Sequence, residues 1–314
     1  MLWYVLRRLV YILPILFGVS IVCFSLLHLA PGDPMTAVMP EFGSDELIEQ
    51  IKRSYGFDQP LPIQYFRWLF AILSGDLGIS IVQDRPVWNE LAPAIINTFQ
   101  LAVFGIAISL VTGIGLGLLA GYTRRLTTDR AITTTAIIGV SVPHYWVGLV
   151  LIAIFAVNLG WLPAVGKAPQ DSGLGFDDLR YMILPAITLA LIPIGIIARS
   201  VRATVIDVRK HEFVQTLHAN GLPQRRIFLH IIKNASPTVL AIIGIQLGHL
   251  VGGSILVETV FAWPGTGYLL NNAIATRDLP LLQGTILVLA TFFVLLNFLV
   301  DLAQPFLDPR MKRH

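Results

Sequence analysis

The sequence predicts an all-α, polytopic membrane protein with six transmembrane helices, and three observations carry that prediction. Charged residues make up 13% of the chain, against roughly a quarter in soluble domains. Hydrophobic residues reach 55% and mean hydropathy is +0.72, which leaves too little polar surface to cover a water-soluble globule of 314 residues. The apolar residues are also gathered into charge-free stretches as long as the roughly 18 to 20 residues a helix needs to cross hydrocarbon. Soluble-enzyme and disordered-tail readings are excluded on the same grounds.

The first stretch, 9–30, follows Arg7 and Arg8. Its apolar run exceeds the roughly 7 to 15 residues of a secretory signal core, and a cut after Ala30 would leave Pro31 leading the mature chain. A retained span is expected, with the arginine pair as a topology anchor. In the loop 31–96, Ser44 caps a short helical pattern in which Leu47, Ile51 and Tyr55 recur before Gly56. A second amphipathic piece starts at Pro62, shows Ile63, Phe66, Phe70 and Leu73 on its apolar side, and stops at Gly75-Asp76-Leu77-Gly78. Neither is long enough to cross, so both are expected along the membrane surface or against the bundle.

The second stretch, 97–122, carries Gly113, Gly117 and Gly121, and the fifth, 235–257, carries Gly244, Gly248 and Gly252. Helices in lipid attract one another through close backbone approach at small residues, so each triplet predicts a packing stripe; the alternative is that glycine is simply common in membrane helices. The third stretch, 131–162, reads as one span. The fourth, 181–198, contains Pro185 and Pro193 and is expected to kink, with neighbours satisfying the freed carbonyls. The sixth is 279–300. The organisation is therefore an N-terminal segment and first span (1–30), an outer loop (31–96), a core (97–305) holding an inner loop (199–234), and a tail (306–314).

Alternating sides place Arg7, Arg8, Arg124, Arg125, Arg130, the basic residues of 199–234, Arg310, Lys312 and Arg313 together, which is most of the 22 basic residues. Lys52, Arg53, Arg67 and Arg85 lie in a loop long enough for the positive-inside rule to give them little weight. Both termini are then cytoplasmic. The net charge of +3 is too slight to suggest nucleic acid as a partner. Cys23 is the only cysteine, so neither an intrachain disulfide nor a cysteine metal cluster can form.

The inner loop is where function concentrates. It holds Arg199, Arg202, Arg209, Lys210, Arg225, Arg226 and Lys233 against Asp207 and Glu212, as two helical patterns around Gly221-Leu222-Pro223. Phe213 and Leu217 stack at i, i+4 before the break; Ile227, Phe228, Ile231 and Ile232 form an apolar face after it. Such a helix-turn-helix is a knob for docking. Fixed to lipid at both ends it could not enter a DNA major groove freely, while anionic lipid is the alternative occupant.

The stretch Glu212-Phe-Val-Gln215-Thr216-Leu217-His-Ala219-Asn220-Gly221-Leu-Pro-Gln-Arg225-Arg226 resembles the EAA loop of ABC-importer permeases of the dipeptide/oligopeptide/nickel branch. Arg7-Arg8, Pro31-Gly32-Asp33-Pro34, Gly75 through Ser80, Asp207-Val208, Lys233-Asn234-Ala235, Glu258 through Gly267, Arg277-Asp278-Leu-Pro280 and Asp308-Pro309-Arg310 are similar to that branch in order along nearly the whole chain. Two departures stand out. Leu217 is bulkier than the family's usual alanine and is expected to alter how the coupling helix seats, and Pro237 comes three residues after Asn234 rather than four.

The resemblance implies the type I importer permease fold, with Glu212, Gln215, Thr216, Leu217, Ala219, Asn220, Gly221, Arg225 and Arg226 docking in a cytoplasmic ATPase. It further implies a homologous second permease, two ATPase subunits that hold ATP and Mg, and a periplasmic or lipid-anchored solute-binding protein. This chain itself is expected to bind no cofactor and to be no enzyme. The only Gly-Lys pair, Gly166-Lys167, is followed by Ala168 where a P-loop needs Ser or Thr. His211-Glu212 meets Gln215 where a zinc protease needs histidine, and Gly139-x-Ser141-x-Pro143 lacks the closing glycine of a nucleophile elbow. The cargo is expected to be short peptides, with nickel chelates, glutathione or another small solute as alternatives.

An ion-coupled carrier is the rival class, and it needs ionisable residues deep in the membrane. Only His144 and His249 qualify in the apolar cores; they either line the route or hydrogen-bond between helices, and two histidines without a third ligand make a poor metal cage. Glu258 and Trp263 stand where the fifth span emerges, and with Pro264-Gly265 they form either an outer gate or contact for a binding protein, or a structural loop with an interfacial tryptophan.

Overall fold

The computed structural model describes residues 2–29, 59–123, 126–168 and 176–307. The helix expected from Ser44, the Pro31–Pro34 motif and the Asp308–Arg310 motif lie outside them. Among the described residues the chain is helical, apart from one two-residue hairpin absent from the all-α expectation. In order it runs α1 (Leu2–Leu29), α2 (Leu61–Leu73), β1 (Ile79–Ser80), β2 (Arg85–Pro86), α3 (Val87–Tyr122), α4 (Leu126–Ser141), α5 (His144–Leu151, continuing as a π-helical Ile152–Asn158), α6 (Phe176–Lys210), α7 (Glu212–Ala219), α8 (Gln224–Val260), α9 (Thr266–Ala275) and α10 (Leu279–Leu307). Contacts divide it into two units, Met1–Asn97 with Gly265–Leu295, and Thr98–Pro264 with Leu296–His314.

By length and apolarity over the described residues, four helices suffice to cross a membrane, in α3, α6, α8 and α10; a bent pair makes up to five. That pair shows that the stretch 131–162 is not one straight helix but is bent at its middle. Thr127–Ser141 and His144–Asn158 meet at 99°, because Pro143 supplies no N–H and biases Val142 away from helix. α6, by contrast, runs unbroken through Pro185 and Pro193.

In the first unit, α2 packs on α1 through Tyr65, whose hydroxyl shares a 2.8 Å hydrogen bond with Ser20 and whose ring meets Phe17 and Phe24 edge-on. Ile63, Phe66, Phe70 and Leu73 point outward and are exposed, which suits a helix wetted by lipid. The hairpin β1–β2 pairs Ile79 with Pro86 and Ser80 with Arg85. Its Ser80 donates to the Asp278 carboxylate just ahead of α10, and the amides of Ile81, Val82 and Leu281 converge on the same group at 3.3 Å. Ser80 and Asp278 are fully buried, so this clasp joins two motifs that the sequence shows only separately.

In the second unit, α3 lies on α6 along a small-residue stripe longer than the predicted triplet. It begins at Gly105 and buried Ser109 and runs through Gly113, Gly117 and Gly121. A Cβ on Gly117 would stand 2.6 Å from the Ala198 carbonyl oxygen and from Val201; on Gly113 and Gly121 it would meet Ile197 and Val205 at 3.0 Å. α4 approaches α6 as closely at Gly195, where a Cβ would stand 2.6 Å from the Ala136 carbonyl oxygen and from Val140. α3's opposite face shows Val111 and Leu119, both exposed, so over this stretch the lateral order comes from residue size rather than polarity.

Candidate functional site

The inner loop is a knob in which α6 runs on to Lys210, α7 spans Glu212–Ala219, and α8 begins at Gln224. Three backbone bonds close the tip: Asn220 to the Thr216 carbonyl (2.9 Å), Gly221 to His218 (3.0 Å) and Leu222 to Leu217 (3.2 Å). This helix ending requires a left-handed residue, and Gly221 supplies it at φ +70°. Pro223 then caps α8 in an extended conformation, so the chain reverses within four residues.

Amphipathic spacing decides which side of the knob is wet. Val214 is buried, and Phe213, Leu217 and Leu222 pack with Val208, Ile227 and Ile231 in a cluster that continues along α6 and α8. Glu212, Gln215, Thr216, Ala219, Asn220, Gly221, Arg225 and Arg226 are exposed. The residues expected to dock therefore all face solvent, except Leu217. Leu217 is partly buried against the chain's own apolar cluster. Arg225 and Arg226 occupy the first turn of α8, where a cation opposes the helix dipole by about 0.3 to 1 kcal/mol. Among the described residues neither has an ion-pair partner.

The remaining candidates scatter. His144 opens α5 directly after the bend, half-buried, with its Nε2 buried and without a hydrogen-bond partner among the described residues. The side chain of His249 lies outside the described residues. Glu258 and Trp263, expected where the fifth span emerges, are both fully buried. Ala262 adopts φ +46° and the Trp263 amide bonds back to the Glu258 carbonyl at 2.8 Å, turning the indole into a core with Met182, Leu184, Val257 and Phe261. Lys167 lies 5.9 Å from that ring. Of the second glycine triplet, Gly248 faces the Asn297 side chain, at 3.1 Å from a would-be Cβ, whereas Gly252 has open space rather than the expected tight contact. Gly244 is buried. The Ser80–Asp278 clasp and the Asp129–Arg202 and Arg209–Tyr122 contacts at the knob's base escaped the sequence reading, since each joins residues far apart in the chain.

Residues 113–313 match the model of the binding-protein-dependent transport system inner membrane component, and residues 1–102 match that of the N-terminal part of the same membrane component. The chain is 36% identical to the dipeptide transport system permease protein DppB of Alkalihalophilus pseudofirmus, over 99% of this chain and all of that one. It is also 36% identical to the glutathione transport system permease protein GsiC of Escherichia coli O6:H1, over 99% of each. A solved inward-facing form of the MetNI methionine ABC transporter is similar at TM-score 0.49 and 20% identity, over 71% of this chain and 94% of that one.

Proposed function

The chain belongs to the family of binding-protein-dependent transport system inner membrane components, and from that premise we propose that it is the permease subunit of an ATP-driven importer of short peptides. It is a multi-pass protein of a bacterial inner membrane. In this reading six crossings leave both termini in the cytoplasm, and the type I importer architecture places the knob there too. A homologous second permease completes the pathway, two ATPases bind ATP and Mg and drive it, and a periplasmic or lipid-anchored protein delivers the cargo. The chain itself acts as a transport subunit.

The observation that carries the reading is the knob: a wet polar surface on a packed apolar base, with Arg225 and Arg226 exposed at the start of α8 and without an ion-pair partner among the described residues. Two cations held against their own helix dipole suit an acidic cleft on another protein. Closure of paired ATPases would move docked knobs and bias the helices between two packings, which is how a ligand-binding energy becomes a conformational change. The name of the peptide-transporting relative supports peptides as cargo, and that of the glutathione-transporting relative supports glutathione as a second reading.

The test is uptake of a radiolabelled dipeptide into proteoliposomes that hold the whole assembly. Uptake is expected to require ATP on the knob side and to persist when ion gradients are collapsed. Uptake that survives ATP depletion with an intact ion gradient would make the protein a carrier.

A further inference from the structure

α3 ends at Tyr122, and both legs of the knob close on that residue. From the incoming leg, Arg209 donates from Nη1 to the Gly121 carbonyl (2.8 Å) and sets its guanidinium 4.9 Å from the Tyr122 ring centroid. From the outgoing leg, Phe228 meets the same ring edge-on, with centroids 5.2 Å apart and planes at 88°. The last carbonyls of a helix have no partner within it, so Arg209 satisfies one and puts its charge at the negative end of the α3 dipole. Two turns earlier on α6, Arg202 forks onto Asp129 in the first turn of α4, with Nη2 donating to Oδ2 at 2.6 Å and Nε to Oδ1. The helix leading into the knob is thus tied to the end of α3 and to the start of α4.

We infer that Tyr122 is a positioning residue through which movement of the knob enters α3, gripped by Arg209 and Phe228, with the Arg202–Asp129 pair as a second tie to α4. The inference rests on the reading of this chain as a permease driven through its knob. A knob hinged only on α6 and α8 would flex at its base and dissipate the stroke. Here a ring held from two sides fixes the base. The α3–α6 seam leaves no slack behind it, since even a methyl group at Gly117 would overlap the Ala198 carbonyl.

The experiment compares uptake of radiolabelled dialanine per ATP hydrolysed, in proteoliposomes of the full assembly. Tyr122→Ala is expected to lower that ratio about tenfold while basal ATP hydrolysis continues. Tyr122→Phe keeps both ring contacts and is expected to hold the parental ratio. Should Tyr122→Ala fail to assemble, Arg209→Gln supplies the same comparison. Arg202→Asp and Asp129→Arg should each lower the ratio, and the two together should return it to within about twofold of the parent. A merely structural role would reduce the amount of assembled complex and leave the ratio unmoved. Parental ratios in Tyr122→Ala and Arg209→Gln overturn the inference alone, as does equal loss in Tyr122→Ala and Tyr122→Phe. A parental assembly whose uptake ignores ATP overturns the functional reading and the inference with it.

Discussion

The two glycine triplets have the same spacing and opposite surroundings. Gly113, Gly117 and Gly121 are pressed into α6, whereas a Cβ on Gly248 would meet the Asn297 side chain at 3.1 Å and one on Gly252 would meet none of the described residues within 4 Å. A four-residue repeat therefore marks a face that can approach another helix closely; whether one lies there depends on the partner. In α6 the partner offers Ile197, Val201 and Val205 at the same four-residue step, so the two rows interlock along two turns. Gly221 differs from both. It has open space around it, and glycine is needed for the backbone angle alone.

Substitutions separate these cases. Gly117→Val should be the most damaging, destabilising the second unit by about 3 kcal/mol or more, because the obstructing atom is a backbone carbonyl that cannot step aside. Unfolding free energy measured in bicelles would show it, and a near-neutral result would mean that α3 and α6 are not seated this closely. Gly221→Val comes next, at about 1 to 2 kcal/mol of local strain from a left-handed β-branched residue. Its main effect should appear as ATP hydrolysis without uptake, with membrane insertion retained. Gly248→Ala should cost under about 1 kcal/mol, since the added Cβ would stand 3.1 Å from a side-chain atom rather than from backbone. Gly252→Ala should be neutral or stabilising by up to about 1 kcal/mol, as for alanine replacing glycine in any unobstructed helix; a large loss there would show that another subunit covers that face.

Much of the architecture was legible because membrane helices announce themselves by length and apolarity. The knob was legible because a glycine followed by proline between two amphipathic patterns has few other solutions. The errors have physical causes. Averaged hydropathy ran straight across Pro143, and it cannot tell a proline at which a helix bends from Pro185 and Pro193, through which α6 continues. The burial of Trp263 was not legible, because hydropathy locates the end of a span and is blind to the positive φ of Ala262 that folds the indole back. Gly195 makes as tight a contact as Gly117 but stands alone in sequence, so no repeat betrayed it. The Ser80–Asp278 clasp spans 198 residues, and no local pattern reports a pairing over that distance.

The central claim is that the wet face of α7 sits in a cytoplasmic motor protein. It is tested most directly by Gln215→Cys, because Cys23, the only native cysteine, is buried and leaves little background. In intact cells the new thiol should resist a membrane-impermeant maleimide, and in isolated membranes a short bifunctional maleimide should link it to an ATPase-sized subunit. Labelling of that thiol from outside intact cells would contradict the account.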